Sequence, residues 1–258
     1  MNPRRFFIDP EAVIQNSATL TGAEAHHIRR VLRLTPGTLI SLFDGTGNIY
    51  QARIESIDRE SVKTSIIESG SIADDRPGLH LCMALLKGKK MEFIIQKATE
   101  LGISSIHPFL SRHSAVKPPG ENRENRWQRI AFEACKQCNR PVPPDCLPLV
   151  EFSSILKISE PFHHKLILWE QEKELGFDRI ISPHSLPESL FFVVGPEGGF
   201  SDPEIKQALS AGFSPVTLGR RTLRAETAAL AAMVILQFLL GNLGSPFTHC
   251  GPGTENRS

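Results

Sequence analysis

Two loops in this chain crowd glycines, arginines and glutamates into positions where connecting turns usually carry only turn residues. The first is Gly195-Pro196-Glu197-Gly198-Gly199-Phe200, which follows the apolar run at 191–194 directly. The second is Leu218-Gly219-Arg220-Arg221-Thr222-Leu223-Arg224-Ala225-Glu226-Thr227, which opens an apolar stretch at 228–240 interrupted by Gln237. Clustered glycines let a backbone approach a ligand closely and adopt positive φ. In α/β folds, ligands sit where such loops gather beyond the carboxyl ends of strands. The first loop is not GxGxxG, so a dinucleotide pyrophosphate, and with it a nicotinamide oxidoreductase, is disfavoured. A bare strand-to-helix turn would use the same glycines, and both readings stay open at this point. Three guanidinium groups and a carboxylate at the mouth of a buried helix must be paired or held for an anionic substrate. Solvation satisfies Arg220 more easily than Arg224.

The elements that position these loops follow from periodicity. Residues 39–43 and 49–57 read as strands joined by Asp44-Gly45-Thr46-Gly47-Asn48, a hairpin signal, and 61–67 as a third strand. Residues 21–34 read as a helix opened by a Thr21 cap with Glu24 three residues on. The stretch 70–78, rich in Gly, Ser and Asp, reads as a linker leaving this small β-rich module. From residue 79 strands alternate with helices, which predicts a mostly parallel sheet with helices on both faces. Strands are expected at 79–86, 106–110, 165–170, 190–194 and 216–218. Helices are expected at 87–102, where Met91, Ile94, Ile95 and Ala98 share one face, and at 123–138. A further helix starts at Ser201-Asp202-Pro203-Glu204, with Ser201 as cap, Pro203 in the first turn and Glu204 favouring the dipole. The last covers 226–240, and the residues after Gly244 read as a flexible tail, 245–258.

Composition bounds what these elements can do. A chain of 258 residues with 40% hydrophobic and 22% charged residues is long enough for a proper core and reads as soluble. The net charge of +1 excludes a molecule-wide nucleic-acid field, so any such surface is a local patch. The start of the sequence lacks a long apolar run of secretory type, and 228–240 is shorter than a membrane span, so a cytoplasmic protein with no membrane partner is expected. Five cysteines without a staple pattern are expected to be reduced. Cys135 and Cys138 have half the spacing of a zinc site, but no second close pair completes it; core packing is the better reading and no metal is expected.

Basic residues outside the two loops suit a phosphate backbone. Arg4 and Arg5 precede Phe6-Phe7, and His26, His27, Arg29, Arg30 and Arg33 decorate the first helix. Lys87, Lys89 and Lys90 lead into the next, Arg112 follows a strand, and Arg140 follows a helix. Lys and Arg neutralising phosphates give affinity without sequence reading. A solvated helix face has the same composition, so this signal is weak alone.

Taken together, RRFF at the start, KGxKMExxIQKATELG, Leu168-Trp169-Glu170, GPEGGFS and LGxRxLRxETA resemble the bacterial ribosomal small subunit methyltransferase E family, in the expected order over nearly the whole chain. That family methylates N3 of a uridine in 16S rRNA with S-adenosylmethionine. The resemblance implies a PUA-like β-barrel RNA-binding domain at 1–72 and a SPOUT methyltransferase domain with a trefoil knot at 73–244. It implies a homodimer acting on 16S rRNA or the assembled small subunit. It also implies that the cofactor is held by Leu168, Trp169 and Glu170, by Val194, Gly195, Pro196, Glu197, Gly198 and Gly199, and by Leu218, Gly219, Arg221, Thr222 and Leu223. Arg224 is the leading catalytic candidate, as an electrostatic stabiliser of the uridine oxyanion, with Glu197 or Glu226 orienting it. Thr222 stands where the family favours Ile or Val, Lys89 where it favours an acid, and His113 where an arginine is expected. Competing readings are a SPOUT enzyme acting on another RNA position, such as a ribose 2′-oxygen, and a PUA-type binder without catalysis.

Overall fold

Apolar residues alternating with polar ones through residues 17–67 fold into one sheet, and the near-continuous apolar strands after residue 78 fold into another. The computed structural model describes residues 3–72, 78–114, 122–181 and 186–244. Two units divide it: residues 1–75 with 129–143, and residues 76–128 with 144–258.

Among the described residues the first unit holds six strands, β1 (Arg4–Phe7), β2 (Val13–Ile14), β3 (Ser17–Thr21), β4 (Leu39–Phe43), β5 (Asn48–Ile57) and β6 (Ser61–Ser71). Their order is β1-β4-β5-β6-β3-β2, antiparallel except that β1 runs parallel to β4. The inward side chains Phe6, Leu20, Ile28, Leu42, Ile54 and Val62 form its core. The 44–48 hairpin is organised by Asp44, whose buried carboxylate accepts from the Thr46 amide (2.9 Å) and hydroxyl (2.8 Å) and from Asn48 Nδ2 (2.7 Å). Burial works against the charge, but these donors win and hold Asp44 below the ordinary carboxylate range.

Several expected boundaries move. The first helix is α1 (Gly22–His26), followed by a π-helical turn over His27–Val31, and it is shorter than 21–34. Thr21 sits at the N-cap without a side-chain cap bond, and the Glu24 carboxylate pairs with Lys136 instead. A cap gains one neutral hydrogen bond, whereas a half-buried ammonium offers a charge-assisted one. The 70–78 linker is also displaced: Gly70 and Ser71 belong to β6 and Gly78 opens the next strand, while 73–77 lie outside the described residues. The 245–258 tail lies outside them too. Cys135 is fully buried, and burial pushes its thiol up to about 12, so it packs as an inert apolar group.

The second unit contains β7 (Gly78–Ala84), α2 (Lys90–Glu100), β8 (Ser105–Leu110), α3 (Asn122–Cys138, whose residues from 129 group with the first unit), β9 (Asp145–Cys146), β10 (Val150–Glu151) and α4 (Phe152–Ile158). It continues with β11 (His164–Leu168), β12 (Ser189–Val194), α5 (Asp202–Ser210), β13 (Ser214–Val216) and α6 (Ala225–Leu239). All pairs in this sheet are parallel, in the order β10-β8-β7-β12-β11-β13, with β9 beside β8. Cys82, Ala84, Phe191 and Val193 pack with α4 and α5, while the alternate residues Leu81, Met83, Phe192 and Val194 are equally buried. Burial of both faces is why these strands read as apolar runs rather than alternations. The strands expected at 165–170 and 216–218 are observed two residues earlier at their carboxyl ends, ending at Leu168 and Val216. That releases Trp169, Glu170, Thr217 and Leu218 into loops. Among the described residues no helix is long and apolar enough to cross a membrane.

Helices α2 and α6 pack together and run the same way, first residues near each other and last residues likewise. Gln237, the polar break in the apolar stretch, is buried; its Nε2 donates to the Leu101 carbonyl at 2.5 Å and its Oε1 accepts from Asn242 at 2.6 Å. It therefore satisfies a carbonyl orphaned at the end of α2.

Candidate cofactor and substrate site

Parallel pairing levels the carboxyl ends of β12, β11 and β13, with Leu168 opposite Val216 and Ile167 opposite Val193. Their three following loops therefore emerge side by side. The loop after β11 folds across the end of β13: the Trp169 amide donates to the Val216 carbonyl (3.1 Å) and the Thr217 amide to Leu175 (3.0 Å). Together the loops enclose a cavity of about 350 Å³. That lies within the range of small-molecule sites. Leu168, Trp169 and Glu170 form one wall, Val194, Gly195, Pro196, Glu197 and Gly199 a second, and Leu218, Gly219, Arg221, Thr222, Leu223 and Arg224 a third. Of the residues expected to hold a cofactor, only Gly198 does not line it; a Cβ there would meet the His113 Cβ at 3.1 Å.

Glycine is required at two points of the 195–199 turn. Gly199 has φ of +69°, its amide closes the turn on the Pro196 carbonyl (3.0 Å), and a Cβ would sit 2.5 Å from Glu170 Oε1. At Gly195 a Cβ would lie 2.8 Å from the Phe200 ring. The far end of the turn is anchored by Glu204, whose carboxylate accepts from the Ser201 amide (2.8 Å), the Ser201 hydroxyl (2.7 Å) and the Arg112 amide (2.9 Å). Burial disfavours its charge, yet these donors keep Glu204 below its ordinary range.

On the third wall Arg224 is the N-cap residue of α6, and Arg220, Arg221 and Arg224 are all exposed. None of the three forms an ion pair among the described residues. The carboxylates expected to orient Arg224 are taken by another cation. Lys90, the first residue of α2, places its ammonium 3.0 Å from Glu197 Oε1 and 3.3 Å from Glu226 Oε2. Glu226 Oε2 is buried and makes no hydrogen bond of its own. Burial works to raise Glu197, but the bond from Lys90 prevails and holds it below the ordinary range; the same bond raises Lys90. Lys90 was visible in the sequence only as one lysine of a basic run. Nothing local signals a partner 107 residues away.

The expected RNA contacts are placed as follows. Arg4, His26, Arg30 and Arg33 are exposed in the first unit, His27 and Arg29 half-buried. Arg5 is drawn inward over the Phe43 ring (4.5 Å to the centroid), and burial lowers its pKa. Two of its nitrogens are buried without a hydrogen-bond partner, so Arg4 is the more accessible of that pair. Arg140 is half-buried near the Cys135 thiol. Lys87, Lys89 and Arg112 are exposed in the second unit, and His113 reaches the Gly199 carbonyl at 3.3 Å.

Comparison with known proteins bears on this site. Residues 74–237 match the RNA methyltransferase domain family and residues 20–67 the RNA methyltransferase PUA domain family. A ribosomal RNA small subunit methyltransferase E of Synechocystis sp. is 34% identical over 92% of this chain and 78% of its own length. The Bacillus subtilis protein of the same name is 30% identical over 91% of this chain and 96% of its own. Among solved structures, a Legionella pneumophila methyltransferase with SAM bound superposes with a TM-score of 0.83, at 31% identity, covering 92% of this chain and 98% of that one. The Neisseria gonorrhoeae ribosomal RNA small subunit methyltransferase E, bound to S-adenosyl methionine, gives 0.81 at 33% identity, covering 92% and 97%.

Proposed function

This chain belongs to the ribosomal RNA small subunit methyltransferase E family of RNA methyltransferases, and from that premise we propose that it methylates N3 of a uridine in 16S rRNA with S-adenosylmethionine. The observation that carries this reading is the cavity closed by the loops after β11, β12 and β13. Its residues suit the cofactor. Leu168, Val194, Leu218 and Leu223 offer apolar surface to a purine, glycine-rich backbone offers donors and acceptors to base and ribose, and Glu170 favours the positive sulfonium side. Bound there, S-adenosylmethionine supplies a methyl group already activated for transfer. What remains for the protein is orientation, exclusion of water and charge stabilisation. As uridine N3 gives up its proton to water, negative charge spreads onto the flanking carbonyl oxygens, and the Arg224 guanidinium at the cavity wall is the group suited to stabilise it. The target base must leave its stack to reach this depth.

Residues 1–72 act as the PUA-like RNA-binding domain, with 16S rRNA or the assembled small subunit as partner, which sets the work in the cytoplasm. Residues 73–244 form the methyltransferase domain, and a trefoil knot in it is supported by β11 lying between β12 and β13 while the 169–176 loop crosses β13. A second copy is the proposed occupant of α6: Val234, Ile235 and Phe238 are exposed beside an apolar groove of about 440 Å³ that shares Thr217 and Leu218 with the cofactor cavity. Sedimentation should give a dimer, and a clean monomer at working concentration would remove that part. The function itself is tested by mass mapping of methylated nucleotides in 16S rRNA from cells with and without the gene. One uridine methylated on the base should lose its methyl group, and an unchanged map would refute the reading.

A further inference from the structure

We infer that Lys90 is a positioning residue whose charge occupies Glu197 and Glu226 and thereby leaves Arg224 free to face the substrate. The inference rests on the reading of Arg224 above. Glu197 shares the cavity lining with Arg224, and Glu226 lies two residues after it, in the first turn of α6. Either carboxylate is a better partner for a guanidinium than water is, since such pairs are charge-assisted and often bidentate. Arg224 nevertheless forms no ion pair among the described residues, and the cation between the two acids is the ammonium of Lys90, at 3.0 and 3.3 Å.

The geometry accounts for the choice. Lys90 reaches the acids from a different element, α2, and α2 is fixed against α6 at its opposite end by Gln237 on the Leu101 carbonyl. One ammonium therefore meets a member of the 195–199 turn and a member of α6 together, and so ties that turn to the helix. Glu226 Oε2 is buried with no hydrogen bond. Glu226 as a whole is half-buried, so without a cation its carboxylate would be only partly solvated and would favour a new partner. Lys87 acts on Glu197 without forming an ion pair among the described residues, whereas Arg224 shares the cavity lining with Glu197 and precedes Glu226 by two residues, so removal of Lys90 should draw Arg224 onto the acids and away from the substrate.

The test separates charge from packing. Lys90→Met keeps the aliphatic stem and removes the ammonium. If Arg224 is then captured in nine molecules of ten, methylation falls roughly tenfold. Lys90→Arg should retain activity, and Lys90→Met combined with Glu197→Gln and Glu226→Gln should leave Arg224 free again, because no carboxylate is left to capture it. A readout free of activity is the Arg224 Nε–H resonance in ¹⁵N spectra, assigned by its loss in Arg224→Lys. It should shift and become protected from exchange in Lys90→Met and return in the triple variant. Equal Arg224 resonances and equal rates in wild type and Lys90→Met would overturn the inference, and so would failure of the triple variant to restore the wild-type Arg224 resonance. If Lys90→Met does not fold, Lys90→Gln takes its place: a shifted and protected Arg224 resonance in it supports the inference, and one equal to wild type refutes it. A wild type that methylates no RNA would remove the functional reading yet leave the resonance comparison standing.

Discussion

Replacing Gly195 with alanine tests whether the cofactor cavity takes its shape from the packing beneath it. The new Cβ would lie 2.8 Å from Phe200 Cε2, with the next two ring carbons at 3.1 and 3.2 Å. Carbon atoms pack best near 3.5–4.0 Å, so the ring must withdraw by about 0.7 Å. It has little room to do so. Phe200 is buried, parallel to Phe109 with centroids 6.3 Å apart and against Phe152 at 5.7 Å. Overpacking of this kind costs about 1–3 kcal/mol. The reduced freedom of the unfolded chain returns about 0.4–1 kcal/mol, because φ at Gly195 is not in the positive range. The expected net loss is about 1–2 kcal/mol, or roughly 3–6 °C in the melting temperature of the second unit. Urea unfolding of Gly195→Ala, Phe200→Leu and the double variant forms the assay. A smaller, softer side chain at 200 relieves the overlap, so the cycle should show a coupling of at least about 1 kcal/mol. S-adenosylmethionine should also protect the single variant less than the wild type. A fully stable Gly195→Ala, or strictly additive variants, would refute the reasoning.

The Arg224→Ala variant should bind S-adenosylmethionine almost normally by calorimetry while methylation falls by about 10²–10³-fold; retained turnover would end its catalytic role. Burial, and then the neighbouring His80, holds His107 down to about 4, below the value near 6.5 expected unfolded. The unfolded chain therefore binds the extra proton, and the contribution of His107 is complete above about pH 6.5. It drains away towards pH 4, by at most about 3 kcal/mol. His107→Gln should flatten the fall in stability between pH 7 and 4.5, and parallel curves would count against this. Reversing Arg4, Arg30 and Arg33 to glutamate should make the salt dependence of RNA binding shallower by about 0.7–0.9 for each phosphate no longer neutralised; an unchanged slope would show that the first unit is not the RNA surface.

Much of this molecule can be read locally because local features set it. The apolar runs of β7, β8 and β12 announce a parallel sheet, since strands buried on both faces leave no polar alternation. Short strands such as β2, β9 and β10, and β1 with its two arginines, carry too few residues to show a period. They exist because neighbouring strands supply their hydrogen bonds. Thr21 and Glu24 have the sequence of a capping box and do not form one, because Lys136 offers Glu24 a stronger partner from 112 residues away.

The same division runs through the site. Glycine types, spacing and strand-to-loop order single out 195–199 and 218–224 as candidate ligand loops before any coordinate is known, because close backbone approach and positive φ favour glycine there. Which charges stand free in it is a different matter. The sequence holds Arg220, Arg221 and Arg224 with Glu170, Glu197 and Glu226 and says nothing of their pairing. Ion pairing depends on distances of a few ångströms between side chains far apart in the chain, and only the packing of α2 on α6 brings Lys90 to Glu197 and Glu226.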